Sequence, residues 1–550
     1  MRRAAIHRAA IRHAAWFATI VIVLGGCDAG PSAAPTDGVA LPTPAPTAVP
    51  SQTPTPTAEP TASPGPTMGP FPLAVVTGLT NLKAWTTLDE LAELAAAGSL
   101  RVPCGVTITA PPSLAGPGGG DAACLAAEAI PQAVRDDPTT VGLLPPGLVE
   151  PATKVLPIGG DGPFGLGGAD LFGSPESRAG LYPITGEATG AAPLEAEWLA
   201  HDPAAVWTLV SLGGTCLDGF VGYAGLERGW DWVMDGGTAR YRDIRLNPNP
   251  PPGVSQELVV DAVADGNRGA VARLVSGADV TLDDFDCTVT SDWRPNYGPA
   301  LVFSTSAEAL EPLRNKLGID VMKVAGNHAT DRGTSGIRET LRHLDAVGIL
   351  GVGVGRDLDE ALEPVYLEVA GVRIAFVAWN AVTGSIEADA DTPGVAWLRR
   401  ANVVESVRRA RAGGADLVLC TPEWWGGAEY HMDIRPSQAE QLDWFDAAGC
   451  DHVLGHGTHL AGPIVLRSPG DGGAGVVVVS HGNFLFGQPW WQQVQEGIVV
   501  ELAFRGTELV NVRLHPYVVL DATQPSLTDP EGDGRHVLRR VWRSSDLDAG

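Results

Sequence analysis

Two clusters of polar residues follow apolar runs that are typical of buried strands, and their side chains could do acid–base or metal chemistry. Gly326-Asn327-His328, with Asp331 close behind, follows the run that begins at Val321. His456 and His459 follow a second run that ends at Leu454. An imidazole can donate a proton or bind a metal, and amide and carboxylate oxygens bind hard cations. Asn327 and Asp331 also suit turns and helix caps, so a purely structural role stays open.

Further donors stand at other predicted strand ends. Asp284 and Asp286 could bind a cation or serve as ordinary loop residues. Glu423 precedes two adjacent tryptophans, Trp424 and Trp425, which predict an aromatic wall that stacks on a sugar or simply packs. Because strand ends converge at one edge of an open α/β sheet, these distant residues are expected to share one site.

Three motifs, in the same order along the chain, resemble one family. They are AGNHATDRG at 325–333, GHGTH at 455–459 and VVSHGNFLF at 478–486. They are similar to motifs of CapA, the poly-gamma-glutamate capsule biosynthesis protein family, whose domain is similar to the calcineurin-like metallophosphatases. The resemblance covers roughly Trp207 to Val519. It implies a four-layer, metallophosphatase-like α/β sandwich, which is preceded here by a smaller α/β domain.

The resemblance also implies roles for individual residues. His328 would be the catalytic acid, with Asp331 beside it, while a divalent metal (Mn, Zn or Ca) activates water. The metal ligands that the resemblance implies, some with a substituted side chain, are Asp284, Asp286, Asn327, His456 and His459. The candidate ligand-binding residues are Glu423, Trp424, Trp425, Glu429 and Asn483.

The implied ligand set departs from the family pattern at three positions. Gly213-Gly214 stands where the family has Gly-Asp, a tryptophan replaces the histidine of His-Trp-Gly, and Gly457 replaces one histidine of Gly-His-His-Pro-His. Nearby residues that could serve as substitute donors are Asp218, Glu423, His431 and His481. A two-metal hydrolase needs a nearly complete donor set, so these losses favour a site with one metal or none.

The elements that must position these residues are predicted from apolar periodicity. The run at Val321 predicts a buried parallel strand, followed by a helix from about Ser335 to Val347. The other elements expected are strands at 73–77 and 140–144, helices at 87–98 and 438–448, and antiparallel edge strands at 498–504 and 509–514.

Composition divides the chain into five parts. Residues 1–26 combine arginines with a short apolar run, which predicts a signal peptide, and Leu24-Gly-Gly-Cys27 resembles a lipobox, so Cys27 is the expected lipidation site. A Pro/Thr-rich linker at 27–70 follows. We expect a small α/β domain at 71–200, the CapA-like domain at 205–525 and a flexible tail at 526–550. The small domain faintly resembles periplasmic solute-binding domains, although a structural adaptor without a ligand fits equally well.

The net charge and the cysteine content limit which cellular locations and binding partners are expected. A net charge of −27 argues against nucleic acid, and against an anionic polymer held by charge alone. Six cysteines besides Cys27 fit an exported protein. Cys104 could pair with Cys124, and Cys216 with Cys287, but six cysteines allow fifteen pairings. The expected location is therefore extracytoplasmic, as a lipoprotein held to a membrane by acyl chains.

The sequence supports two hypotheses about function. The first is a membrane-anchored CapA-like protein that acts in synthesis or processing of a capsule polymer of the poly-gamma-glutamate type, as a metal-dependent hydrolase if active. The second is a non-catalytic envelope binding or scaffold protein on the same fold. The partners expected are an extracellular polymer or small-molecule substrate, the membrane through the lipid anchor, and other capsule-assembly proteins, but no nucleic acid.

Overall fold

The computed structural model describes residues 69–114, 124–188, 194–246, 258–295, 301–427, 429–467, 475–545 and 547. The predicted signal peptide, Cys27 and almost all of the predicted linker lie outside these residues. None of the helices in the described ranges has the length and apolar character needed to cross a membrane.

The first part of the chain, up to residue 205, builds two small sheets. Its strands and helices, in chain order, are β1 (Phe71–Pro72), β2 (Ala74–Gly78), α1 (Leu88–Ala97), β3 (Leu100–Pro103), β4 (Val106–Ala110), β5 (Cys124–Leu125), α2 (Ile130–Asp136), β6 (Val141–Leu144), β7 (Thr153–Val155), α3 (Pro175–Ala179), β8 (Thr185–Ala188) and α4 (Ala196–Leu199). The strand orders are β5-β3-β6-β2-β7 and β1-β8-β4. The predicted helix is present as α1, because the Thr87 side chain caps its first turn and Gly98 ends it in the left-handed conformation.

The second part of the chain carries the predicted site. Its strands and helices are β9 (Val206–Thr215), α5 (Gly219–Arg228), α6 (Trp230–Val233), β10 (Thr238–Leu246), β11 (Leu258–Gly266), α7 (Ala270–Ser276), β12 (Val280–Phe285), β13 (Thr288–Thr290), β14 (Ser304–Ser306), α8 (Leu310–Lys316), β15 (Val321–Lys323), α9 (Gly333–Val347), β16 (Leu350–Val352), β17 (Val354–Gly355), α10 (Leu358–Ala361), β18 (Val365–Val369), β19 (Val372–Asn380), β20 (Gly394–Val395), α11 (Arg400–Ala412), β21 (Leu417–Glu423), α12 (Pro436–Ala448), β22 (His452–Leu454), β23 (Ile464–Arg467), β24 (Gly475–Val478), β25 (Asn483–Leu485), β26 (Glu496–Arg505), β27 (Glu508–Leu520), β28 (Gln524–Thr528) and α13 (Arg535–Ser544).

These elements form two large sheets that pack face to face. One sheet has the order β11-β10-β28-β27-β26-β9-β12-β15-β16, with β25 beside β9, and the other has the order β18-β19-β21-β22-β24-β23. Trp207, Leu209 and Leu282 from the first sheet meet Phe376 and Leu419 from the second in one buried apolar cluster. The centre of the core therefore lies between the two sheets.

Helices cover the outer faces of both sheets. Val210 of β9 packs in one cluster with Ile337 of α9, and Val377 of β19 packs with Val403 of α11 and Phe445 of α12. Successive residues of a strand point to opposite faces, so strands buried on both sides need continuous apolar runs. The order helix, sheet, sheet, helix confirms the four-layer α/β sandwich expected from the sequence.

The strands that carry the predicted site residues run parallel to their neighbours. β12 pairs in parallel with β9 and β15, and β21 pairs in parallel with β22. The predicted strand at Val321 is present as β15, and α9 begins at Gly333, close to the predicted start. Parallel strands present their carboxyl ends at one edge, which is where polar loops can converge on a ligand.

The prediction of a flexible tail at 526–550 is wrong for most of that range. β28 continues to Thr528, and α13 buries Val537, Leu538, Val541 and Trp542 in the cluster between the sheets. The apolar positions recur at helical spacing among many arginines, so α13 is amphipathic and needs the sheet to cover its apolar face.

The two parts of the chain form one compact unit from Gly69 onward. Val155 N of β7 donates a hydrogen bond to Asn511 Oδ1 of β27 at 3.0 Å. Arg178 of α3 forms a two-point ion pair with Asp279, with N–O distances of 3.0 and 2.8 Å. The small sheets are therefore attached to the sandwich by buried and half-buried polar contacts.

Candidate functional site

A small pocket opens where the carboxyl ends of strands from both large sheets meet. The residues that line it are Gly214, Asp284, Asp286, Glu423, Gly457, His459, Gly482, Asn483 and Phe486. The fold thus brings together predicted site residues from β12, β21, β25 and the loop after β22, as the convergence of strand ends leads one to expect.

The centre of this cluster is a lysine that the sequence analysis did not single out. Lys323 is fully buried, and its Nζ forms ion pairs with Asp284 Oδ1 and Glu423 Oε2. Burial alone would lower the pKa of the Lys323 ammonium, but the carboxylates of Asp284 and Glu423 outweigh burial and raise it. The ammonium therefore stays charged. The sequence did contain one indication of this role: Lys323 stands inside an apolar strand, where a lysine without a partner is rarely tolerated.

The three carboxylates around Lys323 have different surroundings. Burial raises the pKa of the Glu423 carboxyl above its usual value, and the neighbouring Lys323 acts against that shift. Asp286 Oδ1 accepts a hydrogen bond from His328 N at 3.3 Å. Asp284 Oδ2 lies 3.3 Å from His456 Nδ1. Two carboxylates thus share one ammonium, and the third is satisfied in part by the backbone.

Two neutral imidazoles stack beside the carboxylates. The rings of His456 and His481 are 4.7 Å apart between centroids and tilted by only 14°. Burial lowers the pKa of both imidazoles well below the usual value, with Lys323 adding to the effect on His456. Within the described residues, neither ring nitrogen of His456 makes a hydrogen bond. His456 therefore has unused hydrogen-bonding capacity beside Asp284.

His459 is oriented by a side-chain amide. Asn483 Nδ2 donates to Gln488 Oε1 at 2.9 Å and to Val494 O at 3.1 Å, so Asn483 Oδ1 is the atom that faces His459 Nδ1 at 2.8 Å. Because the amide oxygen can only accept, Nδ1 of the neutral His459 ring must donate, and the lone pair is on Nε2. His459 has a φ of 60°, a left-handed backbone conformation that is uncommon for this residue type.

His328 and Asp331 form a dyad next to Asp286. His328 Nδ1 lies 2.8 Å from Asp331 Oδ2, which also accepts a hydrogen bond from Phe303 N at 2.6 Å. Burial opposes the charged form, but Asp286 and then Asp331 raise the pKa of the His328 imidazole above its usual value. His328 therefore favours the protonated form more than an ordinary histidine does, as a proton donor would require.

Several predicted residues lie away from the pocket. Trp424 is fully buried, packs against Phe445 and donates from Nε1 to Val479 O at 2.9 Å, so of the two alternatives for this residue, stacking on a sugar or packing, the structure shows packing. Trp425 is half-buried and Glu429 is exposed, and neither lines the pocket. Asn327 is half-buried and does not line it either.

Two suggested substitute donors have structural roles. Asp218 caps α5, because its Oδ1 accepts from Gly219 N at 2.8 Å and its Oδ2 accepts from Ser304 N at 3.0 Å. The ring of His431 lies between two backbone carbonyls, those of Trp425 and Asp433, each at 2.8 Å. Neither residue lines the pocket.

Next to the pocket lies a series of aromatic ring contacts that the sequence analysis missed, and of these rings Phe486 lines the pocket itself. Phe303 contacts the rings of His328 and Phe486, with centroid distances of 4.6 and 5.6 Å. Tyr430 contacts the rings of His459 and Trp491 at 5.6 and 4.6 Å. Trp491 lies in the loop after β25, where the adjacent pair of tryptophans was the available signal.

The donors of this pocket do not fit the divalent metal expected from the resemblance. Among the residues that the structure describes, no group of three or more His, Cys, Asp or Glu side chains is arranged to hold a metal ion. Gly214 and Gly457 line the pocket at positions where the family has ligands, and they offer no side-chain donor. The Lys323 ammonium lies between Asp284 and Glu423, where it would repel a divalent cation.

The architecture and the pocket define a class: a four-layer α/β sandwich protein with polar residues gathered at its strand ends. Within this class the family follows from sequence comparison. Residues 242–488 match the model of the bacterial capsule synthesis protein family PGA_cap. The resemblance to the CapA family is therefore confirmed over this segment of the chain.

Two relatives carry names that agree with this family. The chain is 28% identical to the capsule biosynthesis protein CapA of Bacillus anthracis over 251 residues, which are 44% of this chain and 59% of that protein. It is 25% identical to the PGA biosynthesis protein CapA of Bacillus subtilis over 289 residues, which are 52% of this chain and 73% of that protein. The match thus covers less than two thirds of the Bacillus anthracis protein and more than two thirds of the Bacillus subtilis protein.

One solved structure to which this chain can be aligned is that of a 5'-nucleotidase precursor from Thermus thermophilus. The alignment has a TM-score of 0.33 and 14% identity, and it covers 62% of this chain and 58% of that chain. A TM-score this low supports no statement about the function of this protein. The family match does not extend to residues 71–200, so their resemblance to solute-binding domains stays a prediction.

Proposed function

We propose that the protein is an exported, membrane-anchored component of the apparatus that makes or processes a capsule polymer of the poly-gamma-glutamate type. One observation carries this proposal. The pocket that gathers Asp284, Asp286, Glu423, His459 and Asn483 lies, except for Gly214, within the segment that matches the capsule synthesis family. The named relatives are proteins of capsule and PGA biosynthesis.

The chemistry of the pocket favours a binding role. Asp286 and the Nε2 lone pair of His459 are hydrogen-bond acceptors, and the pocket has more carboxylates than cations. Such a pocket suits the N–H groups of a peptide-like polymer, or an amino terminus, better than free carboxylates. The rings of Phe486, Tyr430 and Trp491 offer apolar surface for the methylene groups of a glutamate chain.

A second candidate role is hydrolysis of the same polymer, and the dyad of His328 and Asp331 favours it. The protonated imidazole beside Asp286 could donate a proton to a leaving group, while the carboxylate of Asp286 accepts one from water. This route differs from the metal-dependent hydrolysis expected from the resemblance, because no step in it uses a metal ion.

The disulfide bonds support a location outside the cytoplasm. Cys104–Cys124, Cys216–Cys287 and Cys420–Cys450 are all bonded, which confirms the two pairings suggested by the sequence and adds a third. Disulfides persist in oxidising compartments and are rare in reducing ones. Cys27 is the one cysteine outside these bonds, and we propose that it carries the lipid anchor.

The proposal is tested in the host by in-frame deletion, with complementation by the wild type, Asp286→Asn or His328→Gln. We expect deletion to lower the amount of gamma-linked polymer purified from the cell surface, measured as glutamate after acid hydrolysis of the purified polymer, and the wild type to restore it. Asp286→Asn should fail to restore it if the pocket binds the polymer. Immunoblotting of envelope fractions controls for the amount of exported protein.

The His328→Gln arm separates the two roles. If His328→Gln restores the polymer at an unchanged chain length, hydrolysis is excluded and the binding role stands. Longer polymer chains with this variant would indicate hydrolysis. Polymer that is unchanged in amount and length after deletion of the gene would contradict the proposed function.

A further inference from the structure

Lys323 places a fixed positive charge among residues that the family resemblance assigns to metal binding. Its Nζ is ion-paired with Asp284 and Glu423, and Asp284 in turn faces His456 Nδ1 at 3.3 Å. Lys323, Asp284 and Glu423 are 0%, 3% and 3% exposed, so solvent screens these charges little. The chain itself thus supplies the counter-ion of its buried carboxylates.

We propose that the Lys323 ammonium permanently takes the place of a divalent metal ion at this strand edge, so that Asp284 and Glu423 share a cation without metal. A metal ion at this point would have to displace the ammonium from both carboxylates. The displaced ammonium would remain buried without a partner, which is among the most costly states for a side chain.

The position of Lys323 in the fold makes such a displacement harder. It is the last residue of β15, which lies between β12 and β16 in the interior of the large sheet. A second contact, from Nζ to Ala325 O at 3.4 Å, holds the ammonium toward the carboxyl end of the strand. With no exposed surface, the side chain has no route into solvent that would clear space for an ion.

The pocket keeps donors that could bind an ion once the ammonium is removed. Asp284 and Glu423 would lose their shared cation, and Nδ1 of His456 lies 3.3 Å from Asp284 Oδ2. Two carboxylates and one imidazole are donor types that zinc and manganese accept, although with the ammonium in place the described side chains are not arranged to hold an ion. Replacement of Lys323 by a small neutral residue should therefore create a metal site that the natural chain does not have.

The test compares metal binding by three full chains purified in detergent: the wild type, Lys323→Ser and Lys154→Ser. Lys154 is the matched control, because it is also a buried lysine in a strand but hydrogen-bonds a backbone carbonyl, Asn81 O, and has no carboxylate partner in the described contacts. Each protein is stripped with chelator, incubated with zinc or manganese, desalted and measured by elemental analysis and by thermal melting. No polymer or substrate is needed.

We expect little metal in the wild type and in Lys154→Ser, and about one equivalent in Lys323→Ser, whose melting temperature should rise with added metal. Stoichiometric metal in the wild type that is lost in Asp284→Asn would overturn the proposal. Should Lys323→Ser not fold without metal, Lys323→Gln replaces it, since the amide keeps much of the side-chain volume. Absence of metal from a folded neutral variant would overturn the proposal as well.

Discussion

At the scale of single residues, His452 makes the stability of the fold sensitive to acid. It begins β22, where its Nδ1 accepts a hydrogen bond from Val476 N at 3.1 Å and its ring packs edge-on against Phe504. Burial lowers the pKa of this imidazole to about 4. The unfolded chain binds a proton near the ordinary histidine pKa of about 6.5, so unfolding takes up a proton between these two values. Stability contributed by the neutral ring is complete above this window and falls as the pH drops through it.

The variant His452→Asn should remove this dependence, because the amide oxygen can accept the same hydrogen bond without titrating. From pH 7 to pH 5 the variant should lose about 2 kcal/mol less unfolding free energy than the wild type. Urea unfolding at both pH values measures the difference. His456 and His481 are buried and neutral as well, so both proteins still lose stability in acid. Equal losses in the two proteins would show that His452 is not the titrating group.

The sequence located much of the pocket but not its centre. Asp284, Asp286, Glu423 and Asn483 could be assigned to one place because polar residues at parallel strand ends converge. Lys323 was not predicted as a site residue because a lysine normally marks an exposed position. Its burial is explained only by the pairing with two carboxylates in the folded structure.

At the scale of elements, α13 depends on a buried acid for its attachment. Glu496 of β26 has no exposed surface and accepts hydrogen bonds from His536 Nε2 at 2.7 Å and Arg540 Nη1 at 2.9 Å. Burial opposes the charged carboxylate, but Arg540 and His536 outweigh it and lower the pKa of Glu496 to about 2. The charged face of the helix is thus held to the sheet while its apolar face enters the core.

Removal of the strongest partner should destabilise the protein without touching the apolar face. We expect Arg540→Met to lower the unfolding free energy by about 3 kcal/mol, since it leaves a buried carboxylate with fewer donors. Arg535→Met, on the exposed side of the same helix, should change it by less than about 0.5 kcal/mol. Chemical unfolding of both variants tests this. A small effect of Arg540→Met would mean that the remaining donors, His536, Gln492 and Tyr241, suffice for Glu496.

The sequence predicted regular elements well where the apolar pattern was strong. β15, α9 and α12 lie close to their predicted ranges, because each combines a clear apolar period with a recognisable start or stop. The last helix, α13, was not predicted because its few apolar residues stand among arginines. Such a composition is typical of a disordered tail. Only the structure shows that the buried carboxylate of Glu496 pairs with the charged face of this helix.

At the scale of the whole molecule, a buried ion network joins the small sheets to the sandwich. Arg513 of β27 pairs with Asp170 at 2.5 Å and with Glu501 at 2.6 Å. His515 Nε2 adds a contact to Glu501 at 2.8 Å. Because Asp170 precedes the sandwich in the chain and Glu501 belongs to it, one guanidinium neutralises charges from both parts. This network could not be predicted from sequence, since Asp170 and Arg513 are 343 residues apart in the chain.

We therefore expect residues from Gly69 onward to unfold in one cooperative step. Arg513→Met should lower the unfolding free energy by about 3 to 5 kcal/mol, because it leaves the buried Asp170 carboxylate without its cation and Glu501 with only His515 of the two partners. Arg242→Met breaks an exposed ion pair with Asp261 and should cost less than about 1 kcal/mol. Differential scanning calorimetry of the three proteins, with the disulfides intact, gives the number of transitions. Two separate transitions in the wild type would show that the small sheets are an independent domain, and the buried network would then be an interface and not a shared core.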